Sequence, residues 1–273
     1  MRQKPLATTV AHLLLLAGAL FMLVPFFWTL STSLKAPGTE FAVPIRWIPE
    51  AFHFENYLNV IQRVPIERWF FNSLVMALGA TFGQMLTGSM AGYAFARLKF
   101  RGRDPLFLLF LATMMIPPQV TIIPLFLIIR AFGWYDTYYA LIVPGLFGAF
   151  SVFLMRQFFL TVPDELEDAA RLDGANHWQI YWKVMLPLAG PALATLGTFT
   201  FMTFWNSFLY PLIVTSSMEM RPITVGLSVF RDAFTTEWTL LTAGLVMSMV
   251  PVIIAFLIGQ RYFVKGITMT GIK

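Results

Sequence analysis

The chain has 273 residues, of which 58% are hydrophobic and 12% charged, with a formal net charge of +5 and no cysteine. Soluble globular domains carry about a quarter charged residues, so an ordinary soluble fold is excluded, and the missing cysteines exclude disulfides, thiol chemistry and cysteine-ligated metal. Six runs contain no Asp, Glu, Lys or Arg: residues 5–34, 69–96, 105–129, 137–155, 184–218 and 238–260. All 33 charges fall in the rest of the chain, which is 29% charged.

A hydrocarbon core about 30 Å thick takes roughly 20 apolar residues of helix, whereas barrel strands are about 10 residues of alternating polarity. The runs therefore predict an all-α membrane fold, a single transmembrane domain over residues 1–273. Its six spans lie near 10–33, 70–95, 105–129, 137–155, 186–213 and 239–259.

Arg2 and Lys4 precede the first span as in a signal peptide. The apolar stretch 10–28 exceeds a signal-peptide core, and no small-x-small site follows before Lys35, so the segment is expected to stay as a span. His12 is expected near its inner end as an interfacial residue. The next segment, from Lys35 to Arg68, is too long for a turn and carries Pro44, Trp47, Pro49 and Asn56-Tyr57. These predict an ordered outer cap. A second long outer segment, near Glu219 to Glu237, carries Arg221, Pro222, Arg231 and Asp232.

Span two places Gly79, Gly83, Thr87 and Ala91 at intervals of four, with Gly88, Gly92 and Ala96 on the neighbouring stripe. Small residues at this spacing let helices approach closely. Arg97, Lys99, Arg101 and Arg103 then crowd one short connection, which the positive-inside rule assigns to the cytoplasm. Both termini follow it there, and 12 of the 19 basic residues become cytoplasmic, with net charges of +6 inside and −1 outside. The basic balance is thus a topology signal, and no nucleic-acid partner is read from it. Prolines mark the other five spans, at Pro25, Pro117, Pro118, Pro124, Pro144, Pro187, Pro191, Pro211 and Pro251, and predict kinks.

Residues 156–187 form the one long cytoplasmic connection. Thr161 and Asp164 are spaced for a capping box, with Pro163, Asp164 and Glu165 suited to a first helical turn. Leu166, Ala169 and Ala170 make a narrow face of mostly small residues, and Gly174 ends the helix. Asn176 and Gln179 can cap a second helix, whose face is Trp178, Tyr181, Trp182 and Met185, running through Leu186-Pro187 into span five. A small-residue face flanked by acids fits a shallow cleft on a partner and offers carboxylates to its basic groups.

Glu167, Asp168, Ala169 and Ala170, then Asp173, Gly174 and Ala175, and finally Ile180 and Leu186-Pro187 resemble the coupling loop of ABC importer permeases. Trp47 and Pro49, Glu55-Asn56-Tyr57, Trp205-Asn206 and the tail from Gln260 are similar to the shorter permease of the carbohydrate-uptake class, the maltose-type relatives. The resemblance implies a type I importer bundle in the inner membrane. It also implies four partners in addition to lipid: a second permease, two ATP-binding subunits and an extracytoplasmic solute-binding protein. The loop would dock on the ATPase. The acid before the two alanines is Asp168 where the family carries Glu, so Glu167 and Asp168 both stay open as the partner-facing carboxylate.

The six runs hold no charged residue and, of the histidines, only His12. A secondary transporter needs a titratable or ion-coordinating group at membrane depth, so a borrowed driving force is expected. A membrane enzyme is disfavoured because His53 and His177 fall in opposite compartments. The tail glycines Gly266 and Gly271 are spaced as in a P-loop, but Lys273 stands one residue late. No cofactor is expected in this chain, with ATP and Mg on the partner ATPase. For the substrate pathway the uncharged candidates are Gln84, Thr113, Met114, Gln119, Phe147, Ser151, Thr203, Trp205, Asn206, Tyr210 and Ser248. Rings meet the C–H faces of a sugar and amides its hydroxyls. The expected cargo is a sugar or oligosaccharide, with glycerol-3-phosphate or another polyol derivative as the alternative that Arg130 and Arg221 leave open.

Overall fold

A computed structural model describes the backbone of residues 5–231 and 235–269 and the side chains of 8–231 and 235–262. Arg2, Lys4, Asp232 and the last residues of the tail, Lys273 among them, lie outside the described residues. The elements in chain order are α1 (Pro5–Ser33), α2 (Glu55–Arg63), α3 (Ile66–Arg97), α4 (Arg103–Ala112), α5 (Pro118–Ala131), α6 (Tyr138–Ile142) and α7 (Ala149–Thr161). There follow α8 (Glu165–Leu172), α9 (His177–Ile180), α10 (Leu186–Leu188), α11 (Gly190–Trp205), α12 (Leu209–Val214), α13 (Ile223–Gly226) and α14 (Trp238–Met269). Among the described residues four helical stretches are long and apolar enough to cross a membrane, and two bent pairs raise the number to as many as six.

The bends have local causes. Between α4 and α5 the axis turns by 97°, where Ile116 is extended, as a residue before proline must be, and Pro118 opens the next helix. Run three is thus a broken pair rather than a kinked rod, because Pro117-Pro118 removes two consecutive N–H donors. A second bend, of 75°, separates the segment His177–Leu188 from α11 just before Pro191.

The chain divides into two compact units, residues 1–66 with 227–250 and residues 67–226 with 251–273. In the first, α1 keeps none of its apolar window buried, as a lipid-facing helix does. Its last turn fastens the segment that follows: Ser31 Oγ donates to the Trp47 carbonyl at 2.6 Å, and the Ser33 and Tyr57 hydroxyls meet at 2.7 Å. Asn56 Nδ2 reaches the carbonyls of Ser33 (3.0 Å) and Lys35 (2.9 Å). Lys35 is buried with its ammonium 4.0 Å from the centre of the Trp28 ring. Burial pushes that ammonium below the ordinary lysine range, and Glu40 pulls against the shift. Arg63 and Glu237, 2.6 Å apart, tie α2 to the start of α14. The segment after α1 is ordered, as expected.

In the second unit the glycine stripe of α3 packs on the segment 142–156. A Cβ on Gly79 would meet Ile142 at 2.9 Å, on Gly83 Leu146 at 2.4 Å, on Gly88 Ser151 at 2.6 Å, and on Gly92 Met155 at 2.7 Å. Between α6 and α7 a 3₁₀ turn, Val143–Leu146, frees carbonyls at the packing surface. Polar side chains of α3 satisfy them: Gln84 Nε2 donates to Gly145 O at 3.0 Å and Thr87 Oγ1 to Leu146 O at 2.8 Å. Such pairing is what broken helix requires inside a bilayer.

Candidate functional site

The loop after α7 folds as two short helices about a glycine, as expected, with one correction at its start. Thr161 does not cap α8; its hydroxyl donates back to Phe158 O at 2.7 Å. Asp164 occupies the N-cap position without a side-chain capping bond, because its carboxylate is taken by Arg97 from the last turn of α3. Gly174 ends the helix in the left-handed region at φ +82°, with nothing within 4 Å of where a Cβ would stand. The Asn176–Gln179 capping box forms in full, Gln179 N donating to Asn176 Oδ1 at 2.9 Å and Asn176 N to Gln179 Oε1 at 2.8 Å.

After α9 the backbone widens into a π-turn, Tyr181–Met185. Pro187 lies four residues beyond Lys183 and has no N–H for its carbonyl, the usual origin of such a bulge. Of the predicted aromatic face, Tyr181 and Met185 are buried while Trp178 and Trp182 stay exposed. Ala170, Ala175 and Leu186 pack against the cluster of Tyr93, Phe159, Ile180 and Tyr181. Asp168, Ala169, Asp173 and Pro187 carry none of that packing, and all four are exposed.

The two neighbouring carboxylates are treated oppositely. Glu167 is the one buried residue of α8, with Arg97 Nε at 3.5 Å and Arg171 Nη2 at 3.3 Å. Burial pushes its carboxyl above the ordinary glutamate range, while the guanidinium groups of Arg97 and Arg171 pull it back. Asp168 faces outward, and among the described residues no basic side chain is paired with it.

Higher in α3, an open cleft of about 760 Å³ is walled by Gln84, the α4–α5 break, the residues around Gly148, and α11. Gln84, Thr113, Met114, Phe147 and Thr203, all predicted from sequence, line it. Phe150, Phe199, Thr200 and Thr121 line it as well. Phe199 stands four residues before Thr203 on α11, so helical spacing from a named candidate would have found it.

The remaining candidates lie elsewhere. Trp205 is 1% exposed, with its ring stacked on Phe201 at 5.6 Å and near Phe70 at 5.9 Å. Tyr210 donates its hydroxyl to Ala140 O at 2.6 Å, and Ser151 donates to Gly148 O at 2.6 Å inside the α3–α7 contact. Gln119 and Asn206 are exposed but do not border the cleft, and neither does Ser248. Among the described residues no charged side chain lines the cleft. Arg130 lies over the rings of Tyr135 (4.5 Å) and Phe126 (5.5 Å), and Arg221 is held by Met218 Sδ at 3.2 Å.

A family model described as the binding-protein-dependent transport system inner membrane component matches residues 84–269. The arabinooligosaccharides transport system permease protein AraQ of Halalkalibacterium halodurans is 36% identical over 241 residues, covering 87% of this chain and 86% of that protein. The sn-glycerol-3-phosphate transport system permease protein UgpE of Brucella abortus is 32% identical, with 98% of each chain covered. Among solved structures, a chain of a bacterial ABC transporter involved in import of the acidic polysaccharide alginate superposes with a TM-score of 0.83 at 27% identity, over 96% of this chain and 98% of that one. The chain belongs to the binding-protein-dependent transport system inner membrane components, the multi-pass inner-membrane permeases of ABC importers.

Proposed function

We propose that this permease carries an uncharged sugar or oligosaccharide. The observation that supports this is the cleft wall: phenylalanine rings beside an amide and threonine hydroxyls, with no charged group among the described residues. Rings cover the apolar faces of a sugar, and the amide and hydroxyls exchange hydrogen bonds with its OH groups. A phosphorylated polyol calls for a cation in the wall, and Arg130 and Arg221 are engaged outside it. In this reading the permease works with a sister permease, two ATP-binding subunits and an extracytoplasmic binding protein, with both termini cytoplasmic. ATP and Mg are held by the ATPase, and this chain performs no catalysis.

ATP-driven motion would enter through the outward face of α8, where Asp168 offers its carboxylate and Ala169 leaves room for a partner side chain. The test is the assembled transporter in proteoliposomes, supplied with its binding protein and either neutral oligosaccharides or glycerol-3-phosphate. Gln84→Ala and Phe147→Ala should each reduce oligosaccharide uptake by about tenfold while ATPase assembly persists. Stimulation by glycerol-3-phosphate alone, or wild-type uptake in both variants, would refute the cargo assignment. Asp168→Lys should abolish copurification of the ATPase, and retention would refute the docking assignment.

A further inference from the structure

An isolated helix of eight residues is not stable in water, and α8 has little apolar burial to compensate, since its only buried residue is Glu167. What holds it is Arg97. That side chain, 8% exposed, turns into the loop. Its guanidinium donates to the Val162 carbonyl and the Asp164 carboxylate and faces Glu167, itself 6% exposed, across 3.5 Å. One turn earlier on the same face of α3, the Tyr93 ring packs 5.9 Å from Phe159 and 5.5 Å from Tyr181. The end of α3 therefore grips the loop on both sides of its glycine elbow.

The Arg97–Glu167 pair is buried on both sides, and a pair so placed adds little net stability, because desolvation offsets the attraction; what it provides is a single geometry. A passive connector has no use for that, whereas a lever does. Above Arg97, α3 is packed backbone to backbone on its neighbour: a Cβ on Gly92 would stand 2.8 Å from Arg156 N, and one on Gly88 3.0 Å from Ser151 C. Thirteen residues before Arg97, about 20 Å along the helix at 1.5 Å per residue, Gln84 borders the cleft and holds Gly145 O.

We propose that Arg97 is a positioning residue that makes α8 and α3 move as one body, so that displacement of α8 reaches Gln84 and the cleft through α3. The alternative route is the covalent one, through the π-turn into α11. The proposal rests on α8 being the ATPase-docking helix, and the coupling it describes runs through a continuous chain of contacts.

The experiment uses the whole transporter, with sister permease, ATPase and binding protein, reconstituted in proteoliposomes, and reads transport per ATP hydrolysed. Arg97→Met should copurify with the ATPase and keep basal hydrolysis, yet lose at least tenfold in transport per ATP. Arg97→Lys keeps a cation opposite Glu167 but gives up the guanidinium fork, and should fall between Arg97→Met and wild type. A merely structural role would lower the amount of complex and leave the ratio unchanged. Arg97→Met with a ratio within twofold of wild type overturns the proposal; if that variant does not accumulate, Arg97→Lys within twofold overturns it. Asp168→Lys separates the two readings. Retained copurification there shows that α8 is not the dock, whereas lost copurification with an unchanged Arg97→Met ratio shows that the dock is right and the latch wrong.

Discussion

Replacing Gly92 by Ala sets two opposed effects against each other at one position. The added methyl would stand 2.7 Å from Met155 Cβ, 2.8 Å from Arg156 N and 3.0 Å from Met155 C. Two of these three are backbone atoms, so no rotamer change relieves the overlap and α7 must move away. Overpacking of this kind costs about 1–3 kcal/mol, and the rigid neighbour argues for the upper half. Ala in a helix interior regains about 0.8–1 kcal/mol over Gly, which leaves a net loss of about 1–2 kcal/mol. Gly197→Ala is the control: its methyl would meet the Met85 sulfur at 3.2 Å and Thr81 Cγ2 at 3.7 Å. A thioether yields readily, so the propensity gain survives and the variant should be neutral to about 1 kcal/mol more stable. Thermal unfolding of the purified transporter in detergent should separate the two, with Gly92→Ala the lower, by roughly 2–12 °C for a gap of about 1–3 kcal/mol. Gly92→Ala melting at or above Gly197→Ala would refute the close α3–α7 contact.

Gly174→Ala meets no steric obstacle but must hold φ near +82°, which costs about 1–2 kcal/mol for a residue with a Cβ. Coupled ATPase activity should fall with Ala and fall less with Asn, which tolerates that region. Asn56→Ala leaves the carbonyls of Ser33 and Lys35 without their donor, a loss of about 2–4 kcal/mol, read as faster proteolysis between α1 and α3 in the purified transporter. The carboxyl of Glu167 is raised above its ordinary 4.5, so its contribution to stability is largest when protonated and declines as pH rises through the raised value. Wild type should therefore lose Tm relative to Glu167→Gln on going from pH 4.5 toward pH 8. Asp136 behaves in the opposite sense. Desolvation raises its carboxyl, but the amides of Ser216 and Ser217 outweigh that and hold it below its ordinary 3.8. The stability it adds over Asp136→Asn should be present above that pH and vanish below it.

Which of these features could be read before folding depends on how local their cause is. Lipid thickness acts on a single helix, so charge-free runs were enough to announce a multi-pass helical fold, and the four-residue glycine period of α3 is a property of one helix face. The Asn176–Gln179 box and the Gly174 stop are likewise local, and both formed as expected. Pro117-Pro118 announced a disturbance but not its size, since a kink and a 97° break begin from the same two missing N–H groups. The pathway candidates divided for a different reason. In a membrane helix both lipid-facing and protein-facing sides are apolar, so nothing within α11 distinguishes Thr203, on the cleft, from Trp205, sealed against Phe201.

The capping expectation at Thr161 failed because a distant residue competes for Asp164. Arg97 lies 67 positions away, and in sequence it looks like one of four equivalent basic residues in a short connection. Yet Arg97 is consumed inside the protein, whereas Lys99 and Arg101 are exposed. Positive charge beside a span thus has two separable uses: exposed members carry the expected orientation signal, and the one nearest the helix end pairs inside the loop. Moving a cation from Arg97 to a neighbouring position would preserve the loop's net charge, and with it the orientation signal, while removing the group that holds α8 to α3.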